Sequence, residues 1–361
     1  MTTTEIESQQ AIPLSTAAIS LQVKDFVWSE TEWPNIKHND FTASEDIPIV
    51  SLSNKKNTKE YEEECKKMVE ASREWGFFKL VEHGIDEGVV EGMKRKCTEL
   101  FELPMERKVR GGRGEGLPLG YSASNPDYSR NLPWAEILQL LQCSKMVVEF
   151  GKKVFGEFHQ PFSEALIKYM EALDNLGMVI FEMLAHGLGL SDDYFTRNFH
   201  EKNSTMLRVN QYPPCPLPER CLGLGSHTDP HALTILLQDE VGGLQVQKSN
   251  GEWIGIKPVP NSFVINIGDV LEAWTNVRLR SVVHRAVVNR EQKRLSVAYF
   301  MCPASNTLID CPPQLLLDAT YGERKYVAFT WDEFRKELLK QKRVVGKTAL
   351  SRYLISPSSM N

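Results

Sequence analysis

Two histidines and one aspartate carry the strongest chemical signal in the chain. His227-Thr228-Asp229 sets an imidazole and a carboxylate two positions apart, and in an extended segment such residues project to the same side. His284 follows 57 positions later inside a β-branched run, 282–288. Two imidazoles and a carboxylate converging from β structure form a facial triad. That set leaves three adjacent coordination positions open and suits Fe(II) in oxygen chemistry. The motif alone is weak, because two packed histidines and a turn aspartate read equally well from it. A decoy of the same form, His38-Asn39-Asp40, lies in a polar leader without strand character and is read as surface.

Beyond His284, Arg294 and Ser296 alternate with Leu295 and Val297, so a guanidinium and a hydroxyl share one face of a strand. A buried guanidinium needs an anionic partner. A planar fork beside a hydroxyl suits bidentate capture of a carboxylate, although pairing with a protein acid is the plainer reading of Arg294 alone. Arg208, Asn210 and Tyr212 alternate in the same way, and Pro213-Pro214 ends their strand. Such a face takes a ligand or solvent.

The elements that must position these groups fall into two textures. Residues 1–45 form a polar leader, and 47–52 a short strand. Tyr61, Cys65, Met68 and Val69 predict a first helix. Val89, Met93, Cys97 and Leu100 predict a second, which Pro104 closes, and Leu166 to Leu184 a long third. From about residue 203 to 311 the chain breaks into short runs at 206–212, 233–237, 244–247, 263–267, 282–288 and 295–301, a pattern of sandwiches, jelly rolls and barrels. Helix returns after Thr330, with Trp331, Phe334, Leu338 and Leu339 spaced for one face. The expected division is a leader (1–45), a mainly helical region (46–202), a β core (203–311) and a helical tail (312–361).

Composition excludes several classes. Lys plus Arg number 42 against 47 Asp plus Glu, a net charge of -5, so no basic footprint for nucleic acid is present. Seven cysteines with no Cys-x-x-Cys pair suggest neither a disulfide framework nor a zinc ribbon. No stretch is apolar enough to span a bilayer or to serve as a secretory signal. The Gly-rich run 111–116 lacks the strand and the Lys of a phosphate cradle and reads as a lid. A cytoplasmic monomer acting on a small molecule, without nucleic-acid or membrane partners, is expected.

Together these segments resemble the plant 2-oxoglutarate- and Fe(II)-dependent dioxygenases. The likeness runs from 47–52 through Glu74-Trp-Gly-Phe-Phe78, His83-Gly84-Ile85, Asn210-Gln-Tyr-Pro-Pro-Cys-Pro216, His227-Thr-Asp-Pro230, Gly242-Gly-Leu-Gln-Val246, Asn266-Ile-Gly-Asp269, His284-Arg285 and Arg294-x-Ser296. Within that family, 72–78, Leu132-Pro-Trp-Ala-Glu136 and 296–303 look most like gibberellin oxidases, notably 2-oxidases of C20 gibberellins. The resemblance implies a mixed α/β chain around an all-β double-stranded β-helix, an isopenicillin-N-synthase-like jelly roll flanked by N-terminal helices and a C-terminal helix. It implies that His227, Asp229 and His284 ligate Fe(II). Arg294, Ser296, Tyr212 and Asn210 would hold the cosubstrate 2-oxoglutarate, with O2 as oxidant and ascorbate as supporting reductant. It further implies hydroxylation of an unactivated C–H bond with release of succinate and CO2.

Arg208 points with Asn210 and Tyr212, so it can pair with a substrate carboxylate, which suits gibberellins as apolar polycyclic acids. Tyr121, Trp134, Tyr299 and Phe300 are candidates for the surrounding walls, although for any one of them ordinary core is the plainer reading. A flavonoid, an alkaloid or another specialised metabolite would fit the same motifs, and a non-catalytic binder could keep the fold. Two positions depart from the family. Thr275-Asn276-Val277 stands where relatives carry Ser-Asn-Gly, so a turn without positive φ is expected there. His231 replaces a small or hydroxylated residue; it is expected at the surface, with a substrate contact as the alternative.

Overall fold

The computed structural model describes residues 23–41, 47–53, 55–114, 117–123, 131–201, 204–317, 322–340 and 348–355. In chain order its elements begin with β1 (Ile49–Ser51), α1 (Lys59–Glu74), β2 (Phe77–Val81), α2 (Glu87–Glu102), α3 (Met105–Lys108), β3 (Tyr121–Ser122) and β4 (Glu136–Leu141). Then come α4 (Ser144–Phe155), α5 (Gln160–Gly187), β5 (Met206–Tyr212), β6 (Leu222–His227), β7 (Leu233–Gln238), β8 (Leu244–Gln247), β9 (Trp253–Gly255) and β10 (Phe263–Ile267). The chain continues through α6 (Asp269–Trp274), β11 (His284–Val287), β12 (Arg294–Met301), β13 (Leu308–Ile309), β14 (Phe329–Thr330), α7 (Trp331–Lys340) and α8 (Thr348–Ser351).

Eight strands form one large sheet in the order β1-β2-β10-β7-β12-β5-β4-β3, and four form a smaller one, β6-β11-β8-β9. Strands contributed from before residue 203 therefore complete both edges of the large sheet. One of its faces is apolar and continuous. Leu207, Val209, Leu233, Ile235, Ile265, Val297 and Met301 pack there with Leu166, Leu173 and Ile180 of α5 in the main core. Alternation along strands makes this possible, since each strand offers one face to the helix and the other to the small sheet. The contact of α5 with β12 is close at Gly177, where a Cβ would lie 1.9 Å from Met301 Sδ and would force that side chain to move. The helix predicted over 166–184 is thus the buttress of the sheet, extended to residues 160–187.

The opposite face turns toward the small sheet. At one end the gap is filled by Phe77, Leu236, Val264 and Ala298 against Leu244, Val246 and Ile254. At the other end Ile137 and Tyr212 meet Ala286 and Val288. Polar residues lie between these two plugs. This is the jelly-roll core that the strand pattern foretold.

The leader departs from expectation over 23–41. Phe26 is buried with Trp134, and Trp28 packs on Leu222 and Val287 across the outer face of the small sheet. Arg285, outward beside His284, stacks on Trp253 at 4.0 Å and donates to Gln245 Oε1, the Glu32 carbonyl and Asn35 Oδ1. His38 is half-buried rather than at the surface, its Nε2 2.8 Å from the Val241 carbonyl. Residues 1–22 and 42–45 lie outside the described residues. In the Gly-rich run, Gly111 is packed on Phe150 and Val154 of α4, which is not the setting of a lid; Glu115 and Gly116 are not described. On α7, Trp331 and Phe334 are buried, whereas Leu339 is 78% exposed, so the apolar face is narrower than its spacing suggested.

Candidate metal centre and cosubstrate pocket

β6 and β11 are antiparallel neighbours with His227 opposite His284. Both side chains point into the gap between the sheets, ring centroids 4.3 Å apart. Asp229 sits two residues past His227, the last residue of β6, in the turn that leads to β7. Its Oδ1 is 3.7 Å from His227 Nε2 and 3.7 Å from His284 Nε2. Among the described residues these three form the cluster able to hold a metal ion, each with a donor atom within 4.8 Å of the others.

Hydrogen bonds behind the triad fix which atoms face inward. Nδ1 of His227 lies 2.8 Å from the Gly225 carbonyl, and Nδ1 of His284 3.1 Å from the Val282 carbonyl. A carbonyl can only accept, so each Nδ1 carries the proton and each Nε2 presents a lone pair. Burial, reinforced by the neighbouring His284, lowers the His227 pKa to about 4, which keeps that imidazole neutral at pH 7. Burial acts to raise the Asp229 pKa, but the facing His284 and His227 and a hydrogen bond from Thr234 outweigh it and hold the carboxylate below its ordinary value. Thr234 Oγ1 donates to Asp229 Oδ2 at 2.7 Å and Asn266 Nδ2 at 3.3 Å, leaving Oδ1 for a metal. The loop itself is tied by Asp269 N to the Asp229 carbonyl at 2.8 Å. It is also closely backed at Gly268, where a Cβ would fall 1.9 Å from the His231 carbonyl oxygen.

Thr234 and Asn266 were not singled out as site residues from sequence. The available signal was a polar side chain at a cavity-facing position of an otherwise apolar strand.

The cosubstrate candidates lie together on the cavity face of the large sheet. β12 pairs with β5 so that Arg294 opposes Tyr212, Ser296 opposes Asn210 and Ala298 opposes Arg208. Tyr212 and Asn210 both reach Ser296 Oγ, at 3.2 and 3.3 Å, and Arg208 Nε donates to Asn210 Oδ1 at 2.8 Å. The Arg294 guanidinium lies 4.8 Å from the Tyr212 ring centroid and is 3% exposed. Its Nε and Nη1 are buried with no hydrogen-bond partner among the described residues. A buried cation in that condition is costly unless an anion completes it, so the cradle fits a carboxylate.

Of the four wall candidates, only Phe300 faces the cavity, on the same side of β12 as Arg294 and Ser296. Tyr299 is on the helix side, its hydroxyl donating to Asp174 of α5 at 3.2 Å. Tyr121 is likewise on that side, pairing opposite Leu138 and donating to the Glu136 carboxylate that also binds Lys108. Trp134 is core: fully buried against Phe26, it donates Nε1–H to the Pro213 carbonyl. His231 is buried at 9% exposure and stacked on Phe300, because the turn after Asp229 folds back over β12 rather than outward. Asn276 and Val277 both take positive φ, at 52° and 63°. The turn is imposed from outside: Asn276 accepts from Lys325 N and donates to the Glu323 carbonyl, while Val277 N donates to the Glu272 carbonyl. Val277 therefore adopts the strained turn rather than altering it.

Comparisons with known proteins agree with this geometry. Residues 203–303 match the model of the 2OG-Fe(II) oxygenase superfamily, and 47–152 match that of the non-haem dioxygenase in morphine synthesis N-terminal region. Gibberellin 20 oxidase 1 of Arabidopsis thaliana is 38% identical over 341 residues, covering 92% of this chain and 88% of that protein. The crystal structure of JOX2 in complex with 2OG, Fe and JA superposes with a TM-score of 0.76 at 29% identity, over 94% of this chain and 96% of that one. The dioxygenase for auxin oxidation of rice gives a TM-score of 0.71 at 28% identity, over 86% and 100%. Among the described residues no helix is long and apolar enough to cross a membrane.

Proposed function

The chain belongs to the 2OG-Fe(II) oxygenase superfamily and is a 2-oxoglutarate-dependent dioxygenase, and from that premise we propose that it hydroxylates a small apolar carboxylic acid of the gibberellin class. His227, Asp229 and His284 hold Fe(II). Arg294, Ser296 and Tyr212 hold the distal carboxylate of 2-oxoglutarate, with Asn210 beside it. The bound iron and 2-oxoglutarate supply oxidation of an unactivated C–H bond by O2, releasing succinate and CO2.

The protein's part is to bind, orient and keep water out. The two carbonyl-bound Nδ1–H groups keep both Nε2 lone pairs aimed at one point, and Thr234 and Asn266 keep Asp229 Oδ1 aimed there too. Arg294 sets the reach of the cosubstrate from that point, since a planar fork fixes a carboxylate's orientation as well as its place. The apolar plugs at both ends of the gap limit solvent entry.

The observation carrying this reading is the buried Arg294 guanidinium, with Nε and Nη1 unbonded among the described residues, on the same sheet face that meets the triad. Arg208, farther along that face, is the partner for the substrate carboxylate. The identity to a gibberellin 20 oxidase supports the substrate class, while the sequence likeness favoured 2-oxidases; the position oxidised is a property of the product. Succinate release should depend on added Fe(II) and be stimulated by C19 or C20 gibberellins, with product mass and fragmentation giving the position. Stimulation by a flavonoid panel and by no gibberellin would overturn the substrate class and leave the reaction class standing.

A further inference from the structure

His231 has no assignment among metal, cosubstrate and substrate carboxylate. His231 follows Asp229 by two positions in the turn between β6 and β7, and is nine-tenths buried. Its ring lies nearly flat on Phe300, with centroids 4.4 Å apart and 28° between planes. Trp331, at the start of α7, stands 6.2 Å away. Phe300 is two positions beyond Ala298, the register partner of Arg208, on the same face of β12. The stacked pair therefore walls the side of the cavity between Arg208 and the C-terminal helix.

Nδ1 of His231 is enclosed and has no hydrogen-bond partner among the described residues. The turn does not need that nitrogen: the His231 backbone carbonyl accepts from Val270 N at 3.3 Å, and the next residue, Ala232, donates to the Met301 carbonyl at 3.0 Å. A phenyl ring would stack on Phe300 equally well without an unsatisfied polar atom. A buried nitrogen left this way is costly, so a partner in the working complex is the physical expectation.

We infer that His231 determines substrate specificity by hydrogen-bonding a neutral oxygen of the substrate, a hydroxyl or a carbonyl, whose carboxylate Arg208 holds. This rests on the reading of the substrate as an apolar acid. An imidazole nitrogen serves either partner, donating to a carbonyl or accepting from a hydroxyl. Two polar anchors on different walls fix the rotation of a rigid ring system, which one anchor cannot, and so select the C–H bond brought to the metal. A cavity with a buried polar group also rejects analogues that leave it unpaired far more strongly than an apolar wall does.

The test compares wild type, His231→Phe and His231→Gln as iron-loaded full-length proteins on matched gibberellin acids that differ by single ring oxygens. kcat, KM and product position are read for each. Wild type should favour one oxygenated member over its deoxy counterpart by roughly tenfold or more in kcat/KM. His231→Phe, which keeps the stack, should bring that ratio near one, chiefly through KM, and blur the position oxidised. His231→Gln should recover part of the preference. Thermal unfolding reports whether each variant folds, and the Gln variant serves if Phe does not. An unchanged preference and product position in His231→Phe overturns the role of His231 alone, as does a wild type with no preference. Absence of turnover with every acid overturns the underlying substrate reading instead.

Discussion

The two faces of the large sheet are built from the same strands and do opposite work. On β12, Val297, Tyr299 and Met301 face α5, while Arg294, Ser296 and Phe300 face the gap between the sheets. On β7, Ile235 packs in the core and its neighbour Thr234 holds the carboxylate of Asp229. The helix face is apolar, and the Tyr299 hydroxyl there is bound by Asp174. The cavity face carries a guanidinium with unpartnered nitrogens and an imidazole with another. A shift of one residue thus separates what stabilises this protein from what it works with. Substitutions on the two faces should divide the same way.

The largest effect is expected at the triad. His284→Ala should lower iron affinity and iron-dependent succinate formation by more than about 100-fold, beyond what loss of an outer-shell partner causes; metal content and succinate release measure it. Arg294→Ala should weaken 2-oxoglutarate by about 3 kcal/mol, raising its KM roughly 100-fold, with Arg294→Lys recovering only part because an ammonium cannot form the fork. The neighbours on β7 sharpen the contrast. Ile235→Ala should cost about 3 kcal/mol of folding stability in denaturant titration and leave the KM for 2-oxoglutarate unchanged. Thr234→Val, nearly isosteric, should instead reduce iron affinity about 10-fold at little cost in midpoint. The smallest effect belongs to Tyr299→Phe: about 1 kcal/mol of stability through the lost bond to Asp174, and no change in any kinetic constant. A kinetic defect in Tyr299→Phe would break the division between the faces.

Much of this arrangement was legible beforehand. The helices over 59–74, 87–102 and 160–187 announced themselves by three-four spacing, and β5, β8 and β10 were bounded as their β-branched runs suggested. Less visible were short elements without a full period of pattern: β6, where Gly223 and Gly225 interrupt the apolar run, the three residues of β9, and α6. The strand β2 hides in the Phe-Phe-Lys-Leu-Val run 77–81, and its Lys79, buried at 1% exposure, argues against a central strand by composition. Asp229 lies past the end of β6, and its place in the triad was implied by the family resemblance. That Arg294 and Ser296 share one strand face, as do Arg208, Asn210 and Tyr212, was legible because strand alternation is local. The same rule, applied from Arg294 and Ser296 to residue 299, would have excluded Tyr299 and kept Phe300.

The amino-acid order by itself determined which groups share a strand face: the period of a strand is two residues, and no distant contact changes it. It also supplied every donor atom of the metal centre. Tertiary structure alone decided where other side chains went. Tyr121 and Trp134 became core, His231 was turned inward over Phe300, and Val277 was held at positive φ by contacts from residues 272 and 323–325. Residues 23–41, polar in sequence, pack against the body of the fold because a few large side chains find apolar surface: Trp28 on Leu222 and Val287 of the small sheet, and Phe26 in the cluster with Trp134 and Tyr212. Burial depends on which surfaces meet across the fold, and that is not encoded in the spacing of any one segment.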